Sequence, residues 1–328
     1  MLSPYDDLFV HQTHQPLEIV ASADPGWQEA AYFNCHDASG RLSALCGLDV
    51  FPNNQFAVAW LLVELDGEHY ASYQTGPLGP WREELAVGPL RFTALEPMKR
   101  WRLELRDDAN GIEGSLEFEA RFPACHFRPI RLEQAGMVVF DQSYFNQAGR
   151  YHGSLRVGQE HFTGLQGLRA RRWGPNIPDR LPFYNWISLP LADRNITVWQ
   201  FETPEGEILY CDGAVSHADG RVTPITRMDH QWELAPDARH PRRVAATLHL
   251  ADGSTLDLES RERGTHFLGA LPLHWSDGVP GQRAHAEANG LSIESCSEFS
   301  VGGEKAIGIY DTFCRQGYAR YGLPSLGA

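Results

Sequence analysis

Apolar and polar residues alternate along much of this chain with the period of two that is typical of β-strands. In residues 99–106 a tryptophan and two leucines fall on one face, and charged residues fall on the other. Residues 114–122 repeat this alternation, and Asp-Asp-Ala-Asn-Gly at 107–111 separates the two segments as a turn. The pattern predicts an antiparallel hairpin with one face against a core and one face towards water.

Further strand-like segments follow the same style to the end of the chain. They are residues 56–65, 69–74, 183–190, 195–202, 207–216, 243–250, 255–261, 265–275, 291–300 and 305–313. Glycine, proline, asparagine and aspartate separate them, and only residues 282–289 suggest a short helix. Many short strands at regular spacing predict an all-β protein built from barrels or sandwiches.

The length of the chain suggests two β domains. A chain of 328 residues is long for one domain and sufficient for two, each able to bury its own core. The composition changes near residues 157–167, which are rich in glycine and polar residues. We therefore predict an N-terminal β domain at residues 1–163 and a C-terminal β domain at residues 164–328.

Charge and composition narrow the partners and the compartment. The formal net charge of -14 disfavours nucleic acid and anionic membrane surfaces, because both would repel the chain. No apolar run approaches the length of a membrane span, and the first residues lack the basic and apolar regions of a secretory signal. The six cysteines form no C-x-x-C pair and are expected to be reduced and buried. These features predict a cytoplasmic monomer or homodimer without membrane insertion.

Common catalytic signatures are absent from the sequence. There is no G-x-S-x-G elbow, no phosphate-binding G-x-x-x-x-G-K, no G-x-G-x-x-G after a strand and no H-E-x-x-H. The histidines are scattered and show no helical metal-ligand spacing. We therefore expect neither a metal nor a cofactor.

The stretch from residue 144 to residue 212 holds a polar and aromatic cluster that a structural loop does not require. Alternation places Tyr184 and Trp186 on one face of a predicted strand, and Tyr210 and Asp212 on one face of another. If those faces line an apolar cavity, loss of hydration would raise the pKa of Asp212, which could then act as a general acid. Tryptophan ring faces could stabilise a developing cation.

From this cluster we predict two groups of site residues. Catalytic roles fall to Asp212, Tyr210 and Arg171, and substrate-binding roles to Trp173, Tyr184, Trp186, Trp199, Tyr144, Asn146 and Asp311. Ordinary structural roles stay open: strand aromatics are commonly core residues, and Asp212 precedes a glycine and could close a turn. Arg171 could bind a buried carboxylate, and Asp311 could be an inward polar group or an end-of-strand residue.

Two motifs resemble a known superfamily. Y-F-N-Q-A-G-R-Y-H-G at residues 144–153 and G-L-R-A-R-R-W-G-P-N at residues 167–176 are similar to the bacterial branch of the tandem lipocalin-like β-barrel proteins. That superfamily includes carotenoid hydratases (hydroxyneurosporene synthases), kievitone hydratase and Diels–Alderases of similar architecture. The resemblance implies two packed lipocalin-like barrels with an apolar pocket in a barrel or near their interface.

The resemblance also implies an activity. In the hydratases, a His-x-Trp element and a Tyr-x-Asp element are implicated in adding water across a double bond; residues 171–173 and 210–212 stand at these positions. Ala170 and Arg171 occupy the places where an acid and a histidine are expected. The implied function is a cofactor-independent hydratase, dehydratase or isomerase for a hydrophobic terpenoid or aromatic molecule. A non-catalytic carrier of a hydrophobic metabolite and a pericyclase stay open as alternatives.

Overall fold

The protein folds almost entirely into β-strands, as predicted. The computed structural model describes residues 13–16, 18–80, 82, 84–176, 181–236, 240–268 and 291–325. Within these residues the strands form two antiparallel sheets, and the predicted all-β tandem-barrel class is confirmed. The helix predicted at residues 282–289 and the end of the strand predicted at 265–275 lie outside the described residues. No helix in the described part of the chain has the length and apolar character needed to cross a bilayer.

The N-terminal sheet contains twelve strands. Their bounds are β1 Trp27–His36, β2 Leu42–Phe51, β3 Phe56–Leu65, β4 Glu68–Pro77, β5 Glu84–Val87, β6 Leu90–Glu96, β7 Arg100–Asp107, β8 Ile112–Ala120, β9 Cys125–His126, β10 Ile130–Gln134, β11 Met137–Val157 and β12 Glu160–Pro175. The order across the sheet is β4-β3-β2-β1-β12-β11-β8-β7-β6-β5, with β9 and β10 paired to β11. A 3-10 turn at Pro52–Asn54 connects β2 to β3. The sheet curls around a core that includes Phe33, Phe92 and Phe118.

The C-terminal sheet closes into a barrel of eight strands. Their bounds are β13 Phe183–Pro190, β14 Arg194–Glu202, β15 Ile208–His217, β16 Val222–Leu234, β17 Pro241–Leu250, β18 Thr255–Phe267, β19 Leu291–Val301 and β20 Glu304–Cys314. Each strand pairs with the next, and β20 returns to pair with β13. A second 3-10 turn, Ala319–Tyr321, follows the barrel. Up-and-down closure of eight strands is the lipocalin arrangement, and it leaves no open sheet edge.

The two sheets meet through their outer faces. Alternation along β13 places Ile187 and Leu189 inside the C-terminal barrel, where they pack in its apolar core. Trp186 on the opposite face packs in a separate cluster with Phe140 and Ala170 of the N-terminal sheet. Both faces of β13 are therefore buried, one inside its barrel and one between the barrels.

The strand pairing also shows where the N-terminal sheet ends and the C-terminal sheet begins. Residue 163, where the sequence suggested a domain boundary, lies inside β12. This strand pairs with β11 as far as Trp173 and with β1 as far as Pro175. The change of sheet comes between Pro175 and Phe183, so residues 164–175 hydrogen-bond within the N-terminal sheet. All six cysteines are buried and form no disulfide, as expected.

Candidate functional site

A cavity of about 140 Å³ lies between the outer faces of the two barrels. Residues before β13 contribute Gln28, Ala30, Ala31, Tyr32, Asp49, Trp60, Tyr144, Ala170, Arg171, Arg172, Asn176 and Leu181 to its lining. The C-terminal barrel and the residue that follows β18 contribute Tyr184, Trp186, Trp199, Leu268, Ser292, Glu294, Asp311 and Phe313. The surface of the cavity is mainly apolar and aromatic, and charged, amide and hydroxyl groups stand among the lining residues, a combination typical of small-molecule sites.

Strand register places four of these side chains in one row. Trp199 on β14 pairs with Trp186 on β13, Trp186 pairs with Asp311 on β20, and Asp311 pairs with Glu294 on β19. Residues directly opposite in an antiparallel sheet point to the same face. Two indoles and two carboxyl groups therefore lie side by side on the C-terminal wall, and all four side chains are buried.

The two carboxyl groups have different hydrogen-bond partners. The hydroxyl of Tyr184 donates to Asp311 Oδ2 at 3.2 Å, whereas Asp311 Oδ1 has no protein partner within the described structure. The hydroxyl of Tyr32 donates to Glu294 Oε1, and Asn34 Nδ2 donates to the Tyr32 oxygen at 2.9 Å. Glu294 thus hydrogen-bonds to the N-terminal sheet, while Asp311 Oδ1 accepts no hydrogen bond from the described residues.

Burial raises the pKa of both carboxyl groups. Loss of hydration raises the pKa of Asp311 to about 7. The pKa of Glu294 is raised well above its ordinary value, first by burial and then by the neighbouring Asp311 charge. Burial likewise raises the pKa of Tyr32, Tyr144 and Tyr184, so these phenols stay neutral. The site can hold a transferable proton near neutral pH.

A second polar cluster in the lining surrounds Asp49. This carboxylate accepts hydrogen bonds from Gln28 Nε2 at 2.6 Å and Trp60 Nε1 at 3.0 Å, and Arg172 pairs with it at 3.6 Å. Trp60 lies against the backbone of Gly47, where a Cβ would stand 2.4 Å from the indole. The absence of a side chain at Gly47 therefore allows Trp60 to form part of the cavity wall.

The structure brings six of the ten predicted site residues to this cavity. They are Arg171, Tyr144, Tyr184, Trp186, Trp199 and Asp311. Arg171 pairs with Glu29 at 3.4 Å, and Tyr144 packs with its ring centroid 4.9 Å from that of Trp199. The predicted aromatic strand faces thus line a pocket, although it is an inter-barrel pocket and not a barrel interior.

Asp212 and Tyr210 do not line the cavity, contrary to the orientation expected for them. The backbone N–H of Arg128 donates to Asp212 Oδ2 at 2.6 Å, and its guanidinium pairs with the same oxygen at 3.4 Å. The Tyr210 hydroxyl donates to the Arg128 carbonyl at 2.8 Å. Asp212 pairs with Trp199 and shares its face, but it lies one strand further from Asp311 and is held by Arg128. Asp212 therefore has a protein partner where a substrate was expected.

Asn146 and Trp173 also lie outside the lining. Asn146 Nδ2 donates to Thr197 Oγ1 at 2.6 Å and connects β11 of the N-terminal sheet to β14 of the barrel. Trp173 packs edge-on against Phe145 with the ring centroids 6.4 Å apart. These contacts give both residues structural partners.

Sequence reasoning missed Glu294 and Tyr32. The signal for Glu294 was present: alternation in L-S-I-E-S-C-S puts Ser292, Glu294 and Cys296 on one face, where a single acid stands among small residues. Tyr32 lies on a strand whose partner β12 is more than a hundred residues away, so no local pattern placed it at the site. Among the described residues, no three His, Cys, Asp or Glu side chains form a group that could hold a metal ion.

Residues 2–275 match the model of a family of unknown function, DUF8625. The chain belongs to this family. No curated protein matches its sequence. The family assignment carries no reaction with it.

Solved structures share the fold at low sequence identity. A provisionally assigned AttH protein from Nitrosomonas europaea has a TM-score of 0.63 at 12% identity, covering 89% of this chain and 93% of that one. CghA has a TM-score of 0.59 at 11% identity, with 88% of each chain covered. Kievitone hydratase from Nectria haematococca has a TM-score of 0.53 at 13% identity, covering 88% of this chain and 89% of that one. At these identities the similarity shows a common tandem-barrel fold and no more.

Proposed function

We propose that the protein is a cofactor-independent hydratase or dehydratase that acts on a small hydrophobic molecule in the inter-barrel cavity. The observation that carries the proposal is the buried Glu294–Asp311 pair, whose one unpartnered oxygen belongs to a side chain lining an apolar cavity. A carboxyl group with a pKa of about 7 is well matched to general acid catalysis near neutral pH. Kievitone hydratase supports the proposal because it is a hydratase with this fold.

The same carboxyl group can serve both halves of the reaction. In the dehydration direction, protonated Asp311 gives its proton to a substrate hydroxyl, the C–O bond breaks and water leaves. The resulting carboxylate removes a proton from the neighbouring carbon as the C=C bond forms, which restores the acid. Hydration is the reverse sequence, and neither direction needs an oxidant or a reductant.

The residues around Asp311 have supporting roles in this proposal. Tyr184 orients the Asp311 carboxyl through its hydrogen bond to Oδ2. Glu294, directly opposite Asp311, has its own pKa raised by burial and by the Asp311 charge, which disfavours two negative charges side by side at the site. Trp186, the cross-strand neighbour of Asp311, offers an aromatic ring to a developing positive charge.

Deuterium exchange tests the proposal even though the substrate is unidentified. A panel of monocyclic alkenes and the matching alcohols is incubated with the protein in D₂O and followed by NMR. We expect interconversion and deuterium in C–H bonds with the wild type, and a loss of about a hundredfold or more in Asp311→Asn. Glu294→Gln should also lower the rate.

Asp212→Asn is the matched control, since Arg128 holds that carboxylate outside the cavity. We expect Asp212→Asn to keep the wild-type rate. If a folded Asp212→Asn variant loses all activity while Asp311→Asn keeps the wild-type rate, Asp212 is the acid instead. An unchanged rate in Asp311→Asn would refute the proposed mechanism. A wild type that binds the panel and converts none of it would favour the carrier function.

A further inference from the structure

Polar atoms without a protein partner are concentrated around the cavity. Five of them are Arg171 Nε, Asn176 Oδ1, Trp186 Nε1, Trp199 Nε1 and Asp311 Oδ1; all are buried, and all belong to side chains that line it. A buried donor or acceptor with no partner is unfavourable, and a ligand that satisfies it removes that penalty. A ligand that forms hydrogen bonds with these atoms is polar at several points.

The best buried of these atoms specify the chemistry of those points. Trp186 and Trp199 are 4% and 8% exposed, and an indole N–H can only donate. They are direct cross-strand neighbours, so the two indoles stand side by side in one part of the wall. Asp311 is 7% exposed, and its Oδ1 needs a hydrogen-bonding group on the ligand, such as a hydroxyl.

The charges around the cavity favour an uncharged ligand. Arg171 pairs with Glu29 and Arg172 pairs with Asp49, so each of these guanidinium groups already faces a carboxylate. The other lining acids, Glu294 and Asp311, have pKa values raised by burial, which disfavours their charged forms. Each guanidinium among the described lining residues is therefore already paired. An anion that entered the cavity would lose its hydration without gaining an unpaired positive charge.

The volume is sufficient for a ligand of one ring. A cavity of about 140 Å³ is close to the roughly 150 Å³ of engineered protein cavities that bind benzene. We propose that the ligand is an uncharged single-ring compound with a carbonyl oxygen for the indole N–H groups and a hydroxyl for Asp311. This inference names the substrate class of the proposed function, but it is tested by binding alone.

Calorimetric titration with three probes of similar size tests this class. The probes are para-hydroxyacetophenone, the apolar para-ethyltoluene and the anionic para-toluate. We expect the hydroxyketone to bind at least about tenfold more tightly than either of the others. Trp186→Phe and Trp199→Phe keep an apolar ring and remove the N–H, and each should weaken hydroxyketone binding about threefold to tenfold without changing para-ethyltoluene binding.

Trp173→Phe provides the control, because Trp173 lies outside the lining and its substitution should change neither affinity. Thermal unfolding of each variant, which we expect to match that of the wild type, verifies folding. Equal or tighter binding of para-ethyltoluene or para-toluate would overturn the inference, as would equal weakening of both neutral probes in the cavity variants. Because no turnover is measured, failure here is distinguishable from failure of the acid mechanism.

Discussion

Glu294 and Asp311 lie directly opposite each other on the paired strands β19 and β20, and both carboxyl groups are buried. Like charges in this position destabilise a sheet, so the pair is unfavourable for folding unless it holds protons. Groups whose pKa is raised by burial and by a neighbouring acid are concentrated at functional sites. The pair thus destabilises the fold at the place where we propose acid catalysis.

The first prediction concerns stability against pH. A carboxyl group whose pKa rises from 3.8 unfolded to about 7 folded binds its proton more tightly in the native state. Its contribution to stability is therefore present below the unfolded pKa and is lost as pH rises through the folded pKa. Asp311→Asn removes the titrating group and therefore this pH-dependent loss of stability. At about pH 8 the free energy of unfolding of the variant should exceed that of the wild type by at most about 4 kcal/mol.

Urea unfolding across this pH range measures the effect. The stability difference between Asp311→Asn and the wild type should widen from about pH 4 to about pH 7 and then stay constant. A difference that does not vary with pH would show that the Asp311 pKa is not raised by folding.

The second prediction concerns the pH dependence of turnover. Activity should decline as pH rises through about 7, where Asp311 loses its proton. The charge of Arg172 lowers the pKa of Asp311, so Arg172→Gln should move this decline to higher pH. Arg171→Gln is the control and should leave its position unchanged. A decline that moves to lower pH in Arg172→Gln would contradict the assignment of Asp311 as the acid.

The third prediction concerns Gly47 beneath Trp60. A Cβ at this position would lie 2.4 Å from the indole, so Gly47→Ala must displace Trp60 from Asp49 and from the cavity wall. We expect a loss of about 1–3 kcal/mol in the free energy of unfolding, together with weaker probe binding. Gly76→Ala is the control, since its Cβ would stand 3.4 Å from Val87, an ordinary contact. Equal stability of the two variants would show that Trp60 can move freely.

The fourth prediction concerns the link between Asp212 and Arg128. Asp212→Ala leaves the backbone N–H of Arg128 without its acceptor, and we expect a loss of about 1–3 kcal/mol in the free energy of unfolding. Asp219→Ala removes an exposed ion pair with Arg221 and should cost about 0.5 kcal/mol or less. Chemical unfolding compares the two variants. Similar stabilities would mean that the Asp212 contacts contribute no more than a surface ion pair.

Part of the site was encoded locally and could be predicted from the sequence. Alternation identified the strands, and the two-residue Gly302-Gly303 turn also sets the register of the β19–β20 hairpin, since Val301 pairs with Glu304. Counting back from that turn places Glu294 opposite Asp311. The acid pair was therefore within reach of sequence reasoning, although Glu294 was not identified.

The rest depends on contacts that the sequence pattern does not encode. Trp186 and Ile187 are both buried, so polarity could not show which face of β13 pointed into the barrel. Asp212 shares the face of Trp199, but Arg128 holds it from a segment 84 residues away. Local periodicity determines faces, whereas the packing of two barrels determines what each face meets.

Because the cavity lies between outer faces, the barrel core and the cavity wall lie on opposite sides of the same strands. Along β13, Ile187 fills the barrel interior and the adjacent Trp186 meets the cavity. Substitutions on the cavity side can therefore change the shape and polarity of the cavity while the inward side chains keep each barrel intact.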